Sequence, residues 1–330
     1  MRLATLAVFG LTLALAPLGA RAASEGPKFA LPLACEIGRS CEVQHYVDRD
    51  PGPGVLDYHC GHRTYQAHNG VDIRLLDMTA QRAGVDVLAA AAGRVARLRD
   101  GVQDISIRAP GAPSVAGQEC GNGVVVDHGD GWETQYCHVA RGSVRVKVGD
   151  QVAAGQPLAR VGLSGDTEFP HLHFTVRHAG QVVDPFAPDM ANPTVCRAQP
   201  TTLWTATALR QLAYKSGAVL NAGFSSGPVT MDSVEAGGVA APSAATPLVA
   251  YARLIGLEAG DSVELSMTGP RGEVLAQNQP EPLASAKDQY VAYVGRKAPP
   301  GGWPHGVYAA EVRVRRAGAV AIARRFSVTV

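Results

Sequence analysis

The sequence predicts a mainly β protein: an antiparallel β domain followed by a small immunoglobulin-like β-sandwich. Two observations carry this expectation. From about residue 68 to 186, short runs of alternating apolar and polar residues recur, separated by turn signals such as Asn69-Gly70, Gly129-Asp130-Gly131 and Gly149-Asp150. From Leu248 onward, strand-like runs return at regular spacing, punctuated by Pro270-Arg271-Gly272 and Pro299-Pro300-Gly301-Gly302, which suits a sandwich.

Taken in order, the chain opens with Met1-Arg2, one positive charge, and then an almost uninterrupted apolar run from Leu3 to Leu18. Ala20-Arg21-Ala22 fits the A-x-A pattern read by signal peptidase, so residues 1–22 are expected to be a signal peptide. The alternative is a membrane anchor, but the run is short for a span of about 20 apolar residues, and Pro17 and Gly19 break it. A periplasmic or secreted protein with no membrane span after cleavage is expected.

Residues 23–67, rich in Pro, Gly and Asp, read as a loop-dominated lead-in packed on the domain that follows. Residues 68–197 are expected to form the first β domain, with strands at Val71–Leu75, Arg94–Leu98, Asp104–Arg108, Val124–Asp127, Glu133–Val139, Pro157–Gly162 and His171–Val176. Residues 198–247 read as linker and flexible segment, in which Leu203 to Tyr214 suits either a strand or a short helix. Residues 248–330 form the expected sandwich. Its Trp303, Tyr290, Tyr293 and Tyr308 suit either a carbohydrate-binding face or ordinary sandwich packing.

The net charge is +1 and charged residues make up 18% of the chain. No basic excess points to nucleic acid or to a strongly anionic membrane surface. Six cysteines follow the proposed cleavage site, none in a C-x-x-C pair, so disulfides are expected. Cys35 and Cys41 can close a small loop, and Cys120 and Cys137 lie on the two arms of one hairpin. Cys60 and Cys196 then pair by elimination.

Three histidine motifs carry the chemistry. His171-Leu172-His173 sits in a strand-like stretch, where alternation points both imidazoles to one face and Leu172 to the other. His68-Asn69-Gly70-Val71-Asp72 places a histidine and a carboxylate around a turn that leads into a strand. His138 lies on the return arm of the hairpin that turns at Gly129-Asp130-Gly131. Taken singly, each suits an ordinary surface or strand histidine as well as a site.

Together, the order H-x-x-x-D, Tyr-x-His and H-L-H resembles the lysostaphin-type zinc metallopeptidases of bacterial cell-wall metabolism. Supporting phrases also resemble that family: Val87–Gly93, Gly121–Gly129, Val146–Asp150 with Gly155-Gln156, and Val161–Gly165 leading into Pro170–Phe174 and Val183-Asp184-Pro185. The resemblance implies one zinc ion per chain held by His68, Asp72 and His173, with His138 and His171 as the catalytic pair. It implies hydrolysis of peptide bonds in peptidoglycan stem peptides or cross-bridges. Two alternatives stay open: a non-catalytic regulator or binding module of cell-wall hydrolases, and a secreted peptidase acting on Gly-rich proteins. The sequence departs from the family in the long stretch between Leu98 and Cys120, in Cys137, and in the nearby His59 and His62, for which metal contact is not expected.

Overall fold

The computed structural model describes residues 26–188 and 201–330. The proposed signal peptide and Cys196 lie outside the described residues.

The first unit contains β1 (Cys41–His45), β2 (Val71–Leu75), α1 (Met78–Ala83), β3 (Asp86–Leu88), β4 (Gly93–Arg99), β5 (Asn122–Gly129), β6 (Trp132–Val139), β7 (Gln151–Val152), β8 (Pro157–Arg160), β9 (His171–His178) and β10 (Gln181–Val183). Among the described residues, β1-β2-β9-β6-β5-β4-β7 form one antiparallel sheet, with β10 added to β9, and β3 pairs with β8. β5 and β6 are joined by the two-residue turn Asp130-Gly131, whose φ values of 49° and 80° are those of a hairpin turn matched to strand twist.

The alternating runs form strands because one set of side chains has a core to enter. Val71, Ile73 and Leu75 of β2, Tyr136 of β6, and Leu172, Phe174 and Val176 of β9 are all buried together. Asp104–Arg108, expected as a strand, is not one. Asp104 makes an isolated bridge to Ser164, and its carboxylate accepts the backbone N–H groups of Arg141 and Leu163, both at 2.8 Å. A carboxylate taking loop N–H groups turns the chain instead of extending it.

The lead-in and the stretch after residue 200 belong to this same core. Phe29, Leu33, Cys41, Val43 and Tyr46 are buried in it, together with Leu203, Trp204, Ala208 and Leu212. The stretch open between strand and helix is α2 (Ala206–Gln211), begun by Thr205, whose side chain accepts the Ala208 N–H. Two more elements lie within 198–247, the stretch read as a linker: β11 (Ala218–Ser225) and α3 (Met231–Glu235). No helix or strand occupies 236–247.

The second unit continues with β12 (Leu248–Leu257), β13 (Ser262–Thr268), β14 (Val274–Gln277), β15 (Lys287–Arg296), β16 (Val307–Arg316) and β17 (Ala319–Thr329). Sheets β11-β12-β15 and β14-β13-β16-β17 share one core, with Leu248, Leu254 and Val294 on one side and Leu265, Met267 and Val312 on the other. That is a two-sheet sandwich, which is as far as the expected immunoglobulin-like form is matched. Its aromatics do not make a common face. Trp303 and Tyr308 are core residues whose polar atoms donate to the carbonyls of Thr246 and Pro304, whereas Tyr293 is exposed.

Two of the expected disulfides are present, Cys35–Cys41 and Cys120–Cys137.

Candidate metal centre and catalytic cleft

β2 and β9 build the site by simple strand geometry. While Leu172 and Phe174 enter the core, His171, His173 and Thr175 face the other way. Antiparallel pairing sets Asp72 opposite His173 and Arg74 opposite His171, so the Asp72 carboxylate reaches the histidine face as a cross-strand neighbour. His68 comes from outside the sheet, carried over the start of β2 by a turn in which Ala67 adopts φ 61°. Gly70 makes that approach feasible: a Cβ there would stand 2.6 Å from His173 Nε2 and 2.9 Å from the Phe174 carbonyl.

The three side chains converge. His173 Nδ1 lies 2.9 Å from Asp72 Oδ1, His68 Nε2 lies 3.2 Å from Asp72 Oδ2, and the two ring nitrogens are 3.2 Å apart. The outward nitrogens have partners of their own. His68 Nδ1 donates to the Tyr46 carbonyl at 2.6 Å, and His173 Nε2 donates to Asn69 Oδ1 at 3.0 Å. Those hydrogen bonds assign the tautomers and leave the lone pairs of His68 Nε2 and His173 Nδ1 pointing inward with the carboxylate. Ligand atoms of His68, Asp72 and His173 all lie within 4.8 Å of one another. Two neutral imidazoles and one carboxylate suit zinc, whose catalytic sites take three such ligands and keep one position open.

Burial opposes a charge on Asp72, but the imidazoles packed around it, His68 first and then His171, His173 and His45, hold its carboxyl well below the usual carboxylate range.

His138 arrives by a different device. In β6, Thr134 and Tyr136 face the core, so strict alternation would send His138 there as well. The pairing with β5 instead slips at this point: Val139 lies opposite Asn122, Cys137 lies opposite Gly123, and His138 is the extra residue, at φ 62°. Such a bulge re-aims the side chain. It brings the His138 ring to 4.6 Å from that of His171 and 6.0 Å from that of His173.

Both of these histidines are fixed through Nδ1. His138 Nδ1 donates to the Ser164 carbonyl at 2.8 Å, and His171 Nδ1 donates to the Phe169 carbonyl at 2.9 Å, with the Thr167 hydroxyl 3.0 Å away. Burial pushes His138 well below its ordinary range and pushes His171 down to about 4. At neutral pH both are neutral imidazoles that carry their proton on Nδ1. His171 Nε2 stands 3.5 Å from Asp72 Oδ1.

All five expected residues therefore meet in one place, and His68, His138 and His173 line a cleft of about 450 Å³ together with Tyr65, Glu119, Gln135, Asp166 and Arg177. His59 and His62 do not join them: His59 stacks on Tyr214 at 4.2 Å, and His62 lines a separate recess. One histidine was not anticipated. His45 places Nδ1 3.1 Å from Asp72 Oδ2, yet it lies in the lead-in at no motif spacing, and no feature of the sequence marks it.

Residues 66–185 match Peptidase family M23. The chain is 44% identical over 68 residues to the cell division protein DipM of Caulobacter vibrioides, covering 21% of this chain and 11% of that protein. It is 48% identical over 62 residues to the murein hydrolase activator EnvC of Escherichia coli, covering 19% and 14%. It is 33% identical over 78 residues to the DD-carboxypeptidase/endopeptidase Mpg of Neisseria meningitidis serogroup B, covering 24% and 17%. The chain thus spans less than a fifth of the length of each of these relatives.

Proposed function

From the match of residues 66–185 to Peptidase family M23, we propose that this protein is a secreted zinc endopeptidase that cuts peptide bonds in peptidoglycan stem peptides or cross-bridges. The single observation that carries the reading is the complete constellation: three inward-facing donor atoms on His68, Asp72 and His173, and two unliganded imidazoles beside them.

In this reading, His68 Nε2, an Asp72 carboxylate oxygen and His173 Nδ1 hold one zinc ion per chain. Zinc in such a site supplies Lewis acidity toward a peptide carbonyl and toward water. The other groups act through protons. Either Nε2, of His138 or of His171, can take the proton of the attacking water and return it to the leaving amine nitrogen. The imidazolium formed also offers an N–H to the tetrahedral oxyanion. Holding each ring by its Nδ1 removes the need to orient it during the reaction. The disulfides Cys35–Cys41 and Cys120–Cys137 suit an oxidising compartment such as the periplasm, where the substrate lies.

Similarity to a murein hydrolase activator supports a second reading, a non-catalytic regulator of wall hydrolases. One experiment separates the two. The zinc-loaded protein is incubated with purified sacculi, and released fragments are identified by mass spectrometry, with His173→Ala alongside. Soluble fragments bearing new amino termini, absent with the variant, are the expected result. Stoichiometric zinc with no product would reject the peptidoglycan endopeptidase.

A further inference from the structure

The Asp72 carboxylate is held from behind as well as in front. On the side away from His173, Oδ2 meets His45 Nδ1 at 3.1 Å. The pairing of β1 with β2 sets these residues opposite one another. The other nitrogen of that ring, His45 Nε2, lies 2.7 Å from Oδ1 of Asp288. Asp288 is on β15, in the sandwich, and Gln44 Nε2 holds the same oxygen at 3.0 Å. A continuous contact therefore runs from the second unit to the candidate metal ligand: Asp288, His45, Asp72.

We infer that Asp288 is a positioning residue for the metal centre, acting through His45 to fix the orientation of the Asp72 carboxylate. The inference rests on reading His68, Asp72 and His173 as the ligands. A carboxylate ligand left alone can rotate and offer either oxygen, and outer contacts of this kind set which one faces the ion. With a carboxylate at each nitrogen, the His45 ring cannot flip or withdraw without breaking one of the two contacts. Its faces are packed as well, edge-on against Tyr65 at 5.2 Å and His68 at 5.8 Å.

The Asp288 carboxylate serves Gln44 as well as His45, and its side chain is 57% exposed, lining a recess of about 410 Å³ between the two units. A carboxylate contact this open to solvent contributes little to folding. The neighbouring contact, Arg74 Nη1 to Gln289 Oε1 at 2.8 Å, ties the same strand to β2 without touching Asp72. It supplies the control for simple docking of the two units.

The test measures zinc affinity by chelator competition, and thermal unfolding of the metal-free protein, for the full chain and for Asp288→Ala, His45→Ala and Gln289→Ala. Asp288→Ala is expected to weaken zinc binding by about 10-fold while the metal-free unfolding temperature stays near that of the parent. Gln289→Ala should bind zinc like the parent. Combining Asp288→Ala with His45→Ala should weaken binding no further than His45→Ala alone, because one residue acts through the other. Parental affinity in Asp288→Ala, or an equal loss in Gln289→Ala, would overturn the inference and leave the ligand assignment standing. A parent protein that binds no zinc would overturn both.

Discussion

Phe29 and Trp204, far apart in the sequence, pack edge to face with ring centroids 6.4 Å apart. Their backbones form a parallel bridge, and both rings touch Phe174, the residue after His173. The segment after residue 200 is thus part of the packing behind the site. Trp204→Ala should destabilise the protein by about 3–5 kcal/mol, read as a lower midpoint in chemical denaturation. A chain ended near residue 189 should fail to fold, and a native-like spectrum from it would show that this packing is dispensable.

The convergence of Asp72, His171 and His173 was legible because the fold uses them in strand register. H-x-H needs only β alternation to share a face, and His68 with Asp72 needs only a turn before a strand. What was not legible depends on contacts distant in sequence. His45, Asp288 and the carbonyl of Ser164 act by tertiary position alone, with no spacing to announce them. The bulge at His138 was hidden for another reason: alternation would have placed that ring in the core, and only the slipped pairing with β5 turns it outward. The order within 198–247 was masked by Ala, Gly and Pro composition, although Val219, Ala222 and Phe224 of β11 pack against the sandwich core.

Gly70 is set against His173 too closely for any side chain, since an added Cβ would meet Nε2 at 2.6 Å. Gly70→Ala should therefore displace the imidazole and lower zinc content while the rest of the sheet stays folded. Circular dichroism matching the parent, together with reduced metal on analysis, is the expected pair of results. Full zinc occupancy would mean that the loop relaxes at little cost.

Asp184 follows β10 and is buried, with Oδ1 accepting the Phe186 N–H at 2.9 Å and Oδ2 making no hydrogen bond but standing 4.0 Å from Arg49 Nε. Burial raises its pKa from 3.8 to about 7. The folded state then holds a proton that the unfolded chain releases, so stability falls as the pH rises from about 4 to about 7. Asp184→Asn keeps the acceptor for Phe186 and removes the titration. Its unfolding temperature should exceed that of the parent at pH 8, and the gap should close toward pH 4. A gap independent of pH would contradict the assignment.

The most direct test of the site compares two histidines of one strand face. His173 is assigned to hold the metal, and His171 to move a proton without holding it. Metal analysis and turnover are measured on purified His171→Ala and His173→Ala. The account predicts near-stoichiometric zinc in His171→Ala with turnover reduced by about 10²–10⁴-fold, and loss of both zinc and turnover in His173→Ala. Zinc lost from His171→Ala but retained in His173→Ala would contradict it.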